Sequence, residues 1–204
     1  RIGRFWVHGS HITNPAPAGL FPLCVDAAQA FGSGTHATTK GCLLAIQKAS
    51  SSKRHINRIL DLGCGSGILS MAAKSLNPSA AVIAADYDKI SVETTRQNWH
   101  INQYPKKAFF ALHSDGFSHE RLRKKQKFDL ILANILAKPL KQFAPLIAQN
   151  LAFNGRVILS GLLTSQMRDI RAIYRHHHLF VMQHIQIEAW STLLLAPKTN
   201  YTKR

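Results

Sequence analysis

Acidic residues are scarce in this chain. Ten Asp and Glu stand against 26 Lys and Arg, a formal charge of +16 at pH 7 over 204 residues. A surface so poorly neutralised favours an acidic partner, with nucleic acid or the ribosome first in line; a solvated basic surface is the plain alternative. Cysteine is scarce too. Cys24, Cys42 and Cys64 are far apart and no CxxC pair occurs. That excludes a cysteine zinc site and a disulfide scaffold, and it suits a reducing, cytosolic setting. No run approaches the ~18 apolar residues of a membrane span, and no signal peptide opens the chain. No Gly-Lys-Ser or Gly-Lys-Thr follows a glycine turn, so there is no phosphate-cradling P-loop.

What is present is an alternation of short apolar runs and longer amphipathic ones. Arg58–Gly63, Ala81–Asp86, Ala108–Leu112, Phe128–Asn134 and Gly155–Gly161 read as buried strands. Between them, Ile68–Leu76, the stretch ISVETTRQNWHIN, the stretch LKQFAPLIAQNL and the stretch TSQMRDIRAIYRHH read as helices. Pro145 is expected to kink or restart the third of these, and a threonine to cap the fourth. Thr39 to Ser50 adds a helix before the first strand, capped by Thr38 or Thr39. The proline-rich stretch NPAPAGLFP reads as loop, and the charge run ERLRKKQK as a solvated loop. The tail FVMQHIQIEAWSTLLLAP holds two strands with no room for a crossover helix, so they should form an antiparallel hairpin. The expected fold is α/β: a Rossmann-like, seven-stranded, mostly parallel sheet with an antiparallel last strand.

Two glycine-rich blocks carry the chemistry. The second, DLGCGSG, places Gly63, Gly65 and Gly67 directly after a strand, where a ligand can touch the main chain. Its G-x-G-x-G spacing puts Ile68 where a dinucleotide fingerprint has its last glycine. Asp86 ends the next strand 23 residues after Gly63. Its carboxylate can accept hydrogen bonds from both hydroxyls of a ribose. Asp88 reads as the cap of the following helix. Asp115, in SDGF after the third strand, is placed to accept from an adenine amine, or is a plain loop carboxylate. A ribose and an adenine without phosphates describe S-adenosylmethionine. The fold expectation narrows accordingly to a class I S-adenosylmethionine-dependent methyltransferase.

AFGSGTHATT, DLGCGSGIL, AADYD, ANILAKPL and LSGLL occur in that order. In these blocks the chain resembles the PrmA family of ribosomal protein methyltransferases, from about Arg4 to Pro197. The resemblance implies cofactor contacts at Thr39, Gly63, Asp86 and Asn134. It sets Phe31, Gly32, Gly34, Thr35 and His36 in a loop over the methionine end of the cofactor, with Gly63 and Gly65 as the floor below. It implies a cytoplasmic enzyme acting on lysine or N-terminal amines of a large-subunit ribosomal protein. The family has a recognition domain before this block. Residues 1–29 are therefore expected to be a segment left of a linker, and residues 30–204 the catalytic domain.

The nucleophile must be a neutral amine. Deprotonating a lysine of pKa ~10.4 at neutral pH costs about 4 kcal/mol, part of which burial can offset. Asn134, at a strand end, is the candidate catalytic residue: its carbonyl can accept from the amine and aim the lone pair. His36 is a candidate base or a loop-shaping residue. His176, His177 and His178 read as the basic end of a helix rather than a metal tract, and no metal is expected. Trp190, opening the last strand, reads as core, with a place at the substrate mouth as the alternative. Two other functions share the pattern: an RNA or small-molecule methyltransferase, which the charge favours, and a non-catalytic cofactor-binding remnant.

Overall fold

The computed structural model describes residues 1–26, 36–51, 55–123 and 127–198. Its centre is a seven-stranded sheet. In chain order the strands are β3 (Arg58–Leu62), β4 (Ala81–Asp86), β5 (Phe109–His113), β6 (Phe128–Asn134), β7 (Leu151–Leu163), β8 (Leu179–Ile187) and β9 (Trp190–Pro197). Across the sheet they run β5-β4-β3-β6-β7-β9-β8. The ladders from β5 to β7 are parallel, and β9 alone is reversed, slotted between β7 and β8. The expected terminal hairpin is there, closed by two residues, Glu188 and Ala189, with Glu188 left-handed at φ 54°.

Helices cover both faces, which is why the strands are apolar almost throughout. Successive residues of a strand point to opposite sides. Ile59, Val82, Leu130, Leu132 and Ile158 pack under α1 (Ala37–Ser50), α2 (Ile68–Leu76) and α3 (Lys89–Ile101). Leu60, Ile83, Ile131, Ala133 and Leu159 pack under α5 (Ala137–Asn150) and α6 (Met167–His176). Tyr174 of α6 is fully buried and donates its hydroxyl to the Leu140 carbonyl of α5 at 2.9 Å.

Several local expectations are corrected. The end of the proline-rich stretch is a strand: β2 (Phe21–Cys24) pairs in parallel with β1 (Phe5–His8) in a separate two-stranded sheet. In so small a sheet a proline is tolerated, because its missing N–H can face outward. Part of the charge run forms a one-turn helix, α4 (Glu120–Arg123). Helix α5 runs from Ala137 to Asn150 with Pro145 inside it rather than restarting there. Thr164 does not cap α6; a 3-10 turn, Thr164–Gln166, precedes that helix, and the Thr164 hydroxyl bonds the Ala189 carbonyl. Asp88 does cap α3, accepting from the N–H groups of Ile90 and Ser91. The bond from the Ser91 hydroxyl is the main reason its carboxyl lies below the usual range.

The β1–β2 segment is fastened to the domain by two asparagines of α3 and its C-cap. Asn102 Oδ1 accepts from Cys24 N–H at 2.8 Å while its Nδ2 donates to Cys24 O at 2.7 Å. Its side-chain amide thus imitates a strand neighbour. Asn98 does the same for Asp26 and also donates to Ser66 O in the glycine turn, at 2.8 Å.

Candidate functional site

Strand order reverses between β3 and β6, and ligands of such sheets bind outside the carboxyl ends at that point. The register determines what meets there. Leu62 pairs with Ala85 on one side and with Ala133 on the other. The next residues along the three strands are Gly63, Asp86 and Asn134, so three of the expected contacts form one row. A cavity of about 590 Å³ opens above them, lined among others by Gly65, Asp86, Asp115 and Asn134.

The glycine turn is held open by backbone geometry. Gly63, Gly65 and Gly67 have φ of 70°, 53° and 79°. L side chains avoid that region, and glycine enters it without strain. The Thr95 hydroxyl donates to Gly65 O at 2.9 Å and Asn98 holds Ser66 O, so α3 clamps the turn from behind. Cys64 is buried beside it, with its sulfur 3.3 Å from the Thr95 hydroxyl, and burial pushes its thiol well up.

Asp86 is 7% exposed. One oxygen accepts from Gly65 N–H at 2.9 Å and the other from Asp88 N–H at 3.0 Å. A carboxylate has about four acceptor positions. Two remain for hydroxyl donors after these bonds have oriented the group. Asp115 lines the cavity beside Ser114 and Gly116.

Asn134 Oδ1 is buried and has no hydrogen-bond partner among the described residues. An acceptor left so inside a protein forgoes about 1–3 kcal/mol unless a ligand supplies a donor. The following residue, Ile135, is pinned from two sides. A Cβ on Gly63 would fall on Ile135 Cγ2, and a Cβ on Gly161 on the Ile135 carbonyl oxygen, both far inside van der Waals distance. Gly161 is itself left-handed, at φ 81°. The ANILAKPL and LSGLL blocks thus meet in space, with glycine required where backbone presses on backbone.

Thr39 is not among the residues lining the cavity; Thr38 is. The Thr39 hydroxyl lies fully buried behind the lining, without a partner among the described residues. Neither threonine caps α1. His36 does, accepting from Thr38 N–H through Nδ1, which also lies 2.8 Å from the Thr38 hydroxyl. A backbone N–H only donates, so the neutral ring carries its proton on Nε2. His36 therefore cannot take a substrate proton without giving up the cap, and the loop-shaping role fits better. Phe31, Gly32, Gly34 and Thr35 lie outside the described residues.

Of the two places expected for Trp190, the structure has the second, at the mouth of the cavity rather than in the core. The residue is partly exposed, lines the cavity and meets the His36 ring edge-on, with centroids 5.0 Å apart. Leu136, 71% exposed, and Tyr87, 76% exposed, complete the lip. Sequence reasoning also passed over Asp61. Its Oδ2 accepts from Ser70 N–H and the Ser70 hydroxyl at 3.0 and 2.7 Å, while Oδ1 is buried without a partner among the described residues. Burial pushes its carboxyl up to about 7. Its position two residues before Gly63 was the available signal. Among the described residues no cluster of His, Cys, Asp and Glu is arranged for a metal ion, and no helix is long and apolar enough to cross a membrane.

The family model of the ribosomal protein L11 methyltransferases, PrmA, matches residues 1–198. Ribosomal protein L11 methyltransferase of Bradyrhizobium diazoefficiens is 43% identical over 194 residues, which are 95% of this chain and 64% of that protein. That of Rhodopseudomonas palustris is 41% identical over 195 residues, 95% of this chain and 65% of the relative. The chain thus spans somewhat under two thirds of the length of these curated relatives. Among solved structures, the ribosomal protein L11 methylase of Lactobacillus delbrueckii superposes with a TM-score of 0.81 at 26% identity, covering 94% of this chain and 93% of that one. On the match of that family model across nearly the whole chain, and on relatives more than 40% identical to it, the chain belongs to the ribosomal protein L11 methyltransferase (PrmA) family.

Proposed function

We propose that this chain is the catalytic part of an S-adenosylmethionine-dependent N-methyltransferase. Its substrate on this reading is an amine, lysine or N-terminal, of a large-subunit ribosomal protein in the cytoplasm. The observation that carries the reading is the orphaned Asn134 carbonyl oxygen, buried in the row of Gly63 and Asp86. Residues 30–204 would form the catalytic domain and residues 1–29 its leading segment.

The residues present fit the cofactor. Asp86, pre-oriented by two backbone N–H groups, suits the ribose hydroxyls. Asp115, in the lining of the same cavity, would accept from the adenine amine. Gly63 and Gly65 leave room for close approach, and His36, Thr38 and Trp190 line the rest of the same cavity. When bound, S-adenosylmethionine supplies an electrophilic methyl group. The chain's own task is to orient and dehydrate the amine. Asn134 Oδ1 accepts an amine N–H, which holds the nitrogen lone pair toward the cavity. The apolar lip of Leu136 and Trp190 leaves an amine lying against it fewer water neighbours and so disfavours the ammonium form. No side chain in the described site is arranged as a dedicated base, so the amine loses its proton to solvent before it is enclosed. The positive charge supports a further contact with ribosomal RNA near the substrate.

The test is calorimetry with S-adenosylmethionine, its demethylated product and NAD, paired with methyl-transfer kinetics of Asn134→Ala. The expected result is binding of the first two ligands only. The variant should lose transfer by about a hundredfold, a typical cost of misplacing a reactant, while keeping most of its cofactor affinity. Equal loss of both would reduce Asn134 to a cofactor ligand. Binding of NAD alone would overturn the whole reading.

A further inference from the structure

The charge of this chain is concentrated in a usable way on one layer. Between Ile135 and Phe180 the sequence has one acid, Asp169, against Lys138, Lys141, Arg156, Arg168, Arg171 and Arg175. Asp169 is already engaged: Lys141 of α5 bonds its Oδ2 at 3.0 Å. The three arginines of α6 are exposed, and none has an ion-pair partner among the described residues. Their spacing of three and four residues puts them on one stripe of the helix, roughly 10 Å long. Arg168 lies in the first turn of α6, where the helix dipole disfavours a cation. Helix stability therefore does not account for it.

The stripe has a direction. Leu136 and Pro139 line the cavity, and Lys138 is exposed between them on the first turn of α5. The Lys141–Asp169 bond ties that helix to the start of α6. A row of cations thus runs from the lip of the site along the α5–α6 layer. The opposite layer differs. Its Lys74 is buried with Nζ on the Ala80 carbonyl, and its Arg96 is bound to Ala111 O and Glu93. Its exposed Lys40, Lys48 and Lys89 sit on separate turns and separate helices.

We infer that the α5–α6 layer, through Arg168, Arg171 and Arg175, docks on the phosphate backbone of RNA next to the methylated amine. The inference rests on the ribosomal substrate proposed above and specifies where the RNA would lie. A backbone of regularly spaced anions matches a row of unpaired guanidiniums, each able to hold a phosphate with two parallel hydrogen bonds. Binding of this kind is largely independent of sequence and releases counterions.

The experiment measures fluorescence anisotropy of a labelled duplex fragment of ribosomal RNA against the full chain, with salt varied between about 50 and 200 mM. The triple variant Arg168→Gln, Arg171→Gln, Arg175→Gln is compared with a control that removes equal charge elsewhere: Lys48→Gln, Lys106→Gln, Lys107→Gln. The expected result is tenfold or greater weakening by the arginine variant at the lowest salt. Its log–log salt slope should be shallower by about 2–3, near 0.9 for each phosphate that is no longer neutralised, with the control close to wild type. Equal weakening by both variants would show a diffuse charge effect and overturn the assignment of this face. So would no RNA binding by the wild type, or tighter binding of polyglutamate than of RNA, which would point to an acidic protein. Methyl transfer to the free ribosomal protein, read on the same variants, should not change. Loss of transfer by the wild type itself would instead sink the enzymatic reading and leave the RNA result to stand alone.

Discussion

The floor of the cavity and its lip are built on different principles. On the floor almost every group is tied. Asp86 is held by two backbone N–H groups, the glycine turn by Thr95 and Asn98, and Ile135 by the absence of side chains at Gly63 and Gly161. At the lip, Leu136 and Tyr87 are mostly exposed, and Trp190 is partly exposed and meets the His36 ring edge-on. A rigid floor can recognise one ligand by geometry, since nothing must be ordered on binding. A loosely held apolar lip suits a substrate that arrives on another macromolecule. Substitutions on the floor should therefore alter stability and cofactor affinity, and those at the lip should alter substrate handling alone.

The largest effect is expected from Asp61, beneath the floor. Its folded pKa of about 7 lies above the ordinary carboxyl value of 3.8 because burial disfavours the charge. Below pH ~4 the group is neutral in both the folded and the unfolded chain. Between there and about pH 7 the unfolded chain ionises while the folded one keeps its proton. Unfolding then releases a proton, and stability falls as pH rises. The shift corresponds to as much as ~4 kcal/mol lost by pH 8. Asp61→Asn should remove this slope, as read by urea unfolding at a series of pH values without cofactor. Parallel curves for the two proteins would mean that Asp61 is ionised throughout.

Gly161→Ala comes next. The new Cβ would press on the Ile135 carbonyl, at a backbone φ of 81° that L residues avoid. A loss of about 2–3 kcal/mol in unfolding free energy is expected, within the usual range for steric mutants at special dihedrals. Methyl transfer should fall with it, because Asn134 precedes the displaced residue. Unchanged stability and activity would mean that the two motifs do not lean on one another. Asp86→Ala should weaken S-adenosylmethionine by about 1–3 kcal/mol, the range for hydrogen bonds to a charged acceptor, as read by calorimetry. The same calorimetry on a wild-type chain with the 2′-deoxy cofactor would show whether the loss comes through the ribose.

What the sequence revealed follows the same division. Buried strands announce themselves as continuous apolar runs, so the sheet and its reversed strand were readable. That Gly63, Asp86 and Asn134 stand at the ends of neighbouring strands was readable because strand ends and glycine turns leave local signatures. The contacts that depend on side chains meeting across the fold were not. Nothing around Trp190 shows that the β9 register carries it to the cavity, where His36 waits at the start of a helix more than 150 positions earlier. The capping role of His36 was hidden because histidine is seldom a cap and two threonines nearby are better candidates. Nothing near Asn98 and Asn102 in the sequence signals that Cys24 and Asp26, more than 70 positions earlier, bond to them.

The smallest effect is expected at the lip, from Trp190→Ala. The side chain is partly exposed, so its removal leaves no sealed void and should cost under ~1 kcal/mol of stability. Cofactor affinity should change little, since the floor contacts remain. What should change is the fate of the amine. On the function proposed above, Trp190 and Leu136 would offer an apolar wall for a lysine stem, and burial there would favour the neutral amine. Without the indole the amine stays better hydrated and more often protonated. Raising the pH should then restore part of the lost rate, because solvent supplies the deprotonated form that the lip no longer favours. The measurement is kcat/KM for methylation of the ribosomal protein between neutral pH and about pH 10, close to the lysine pKa. A several-fold deficit at neutral pH that narrows as pH rises is the expected outcome. A deficit constant across that range would assign Trp190 to binding the substrate's surface rather than to the ionisation of its amine.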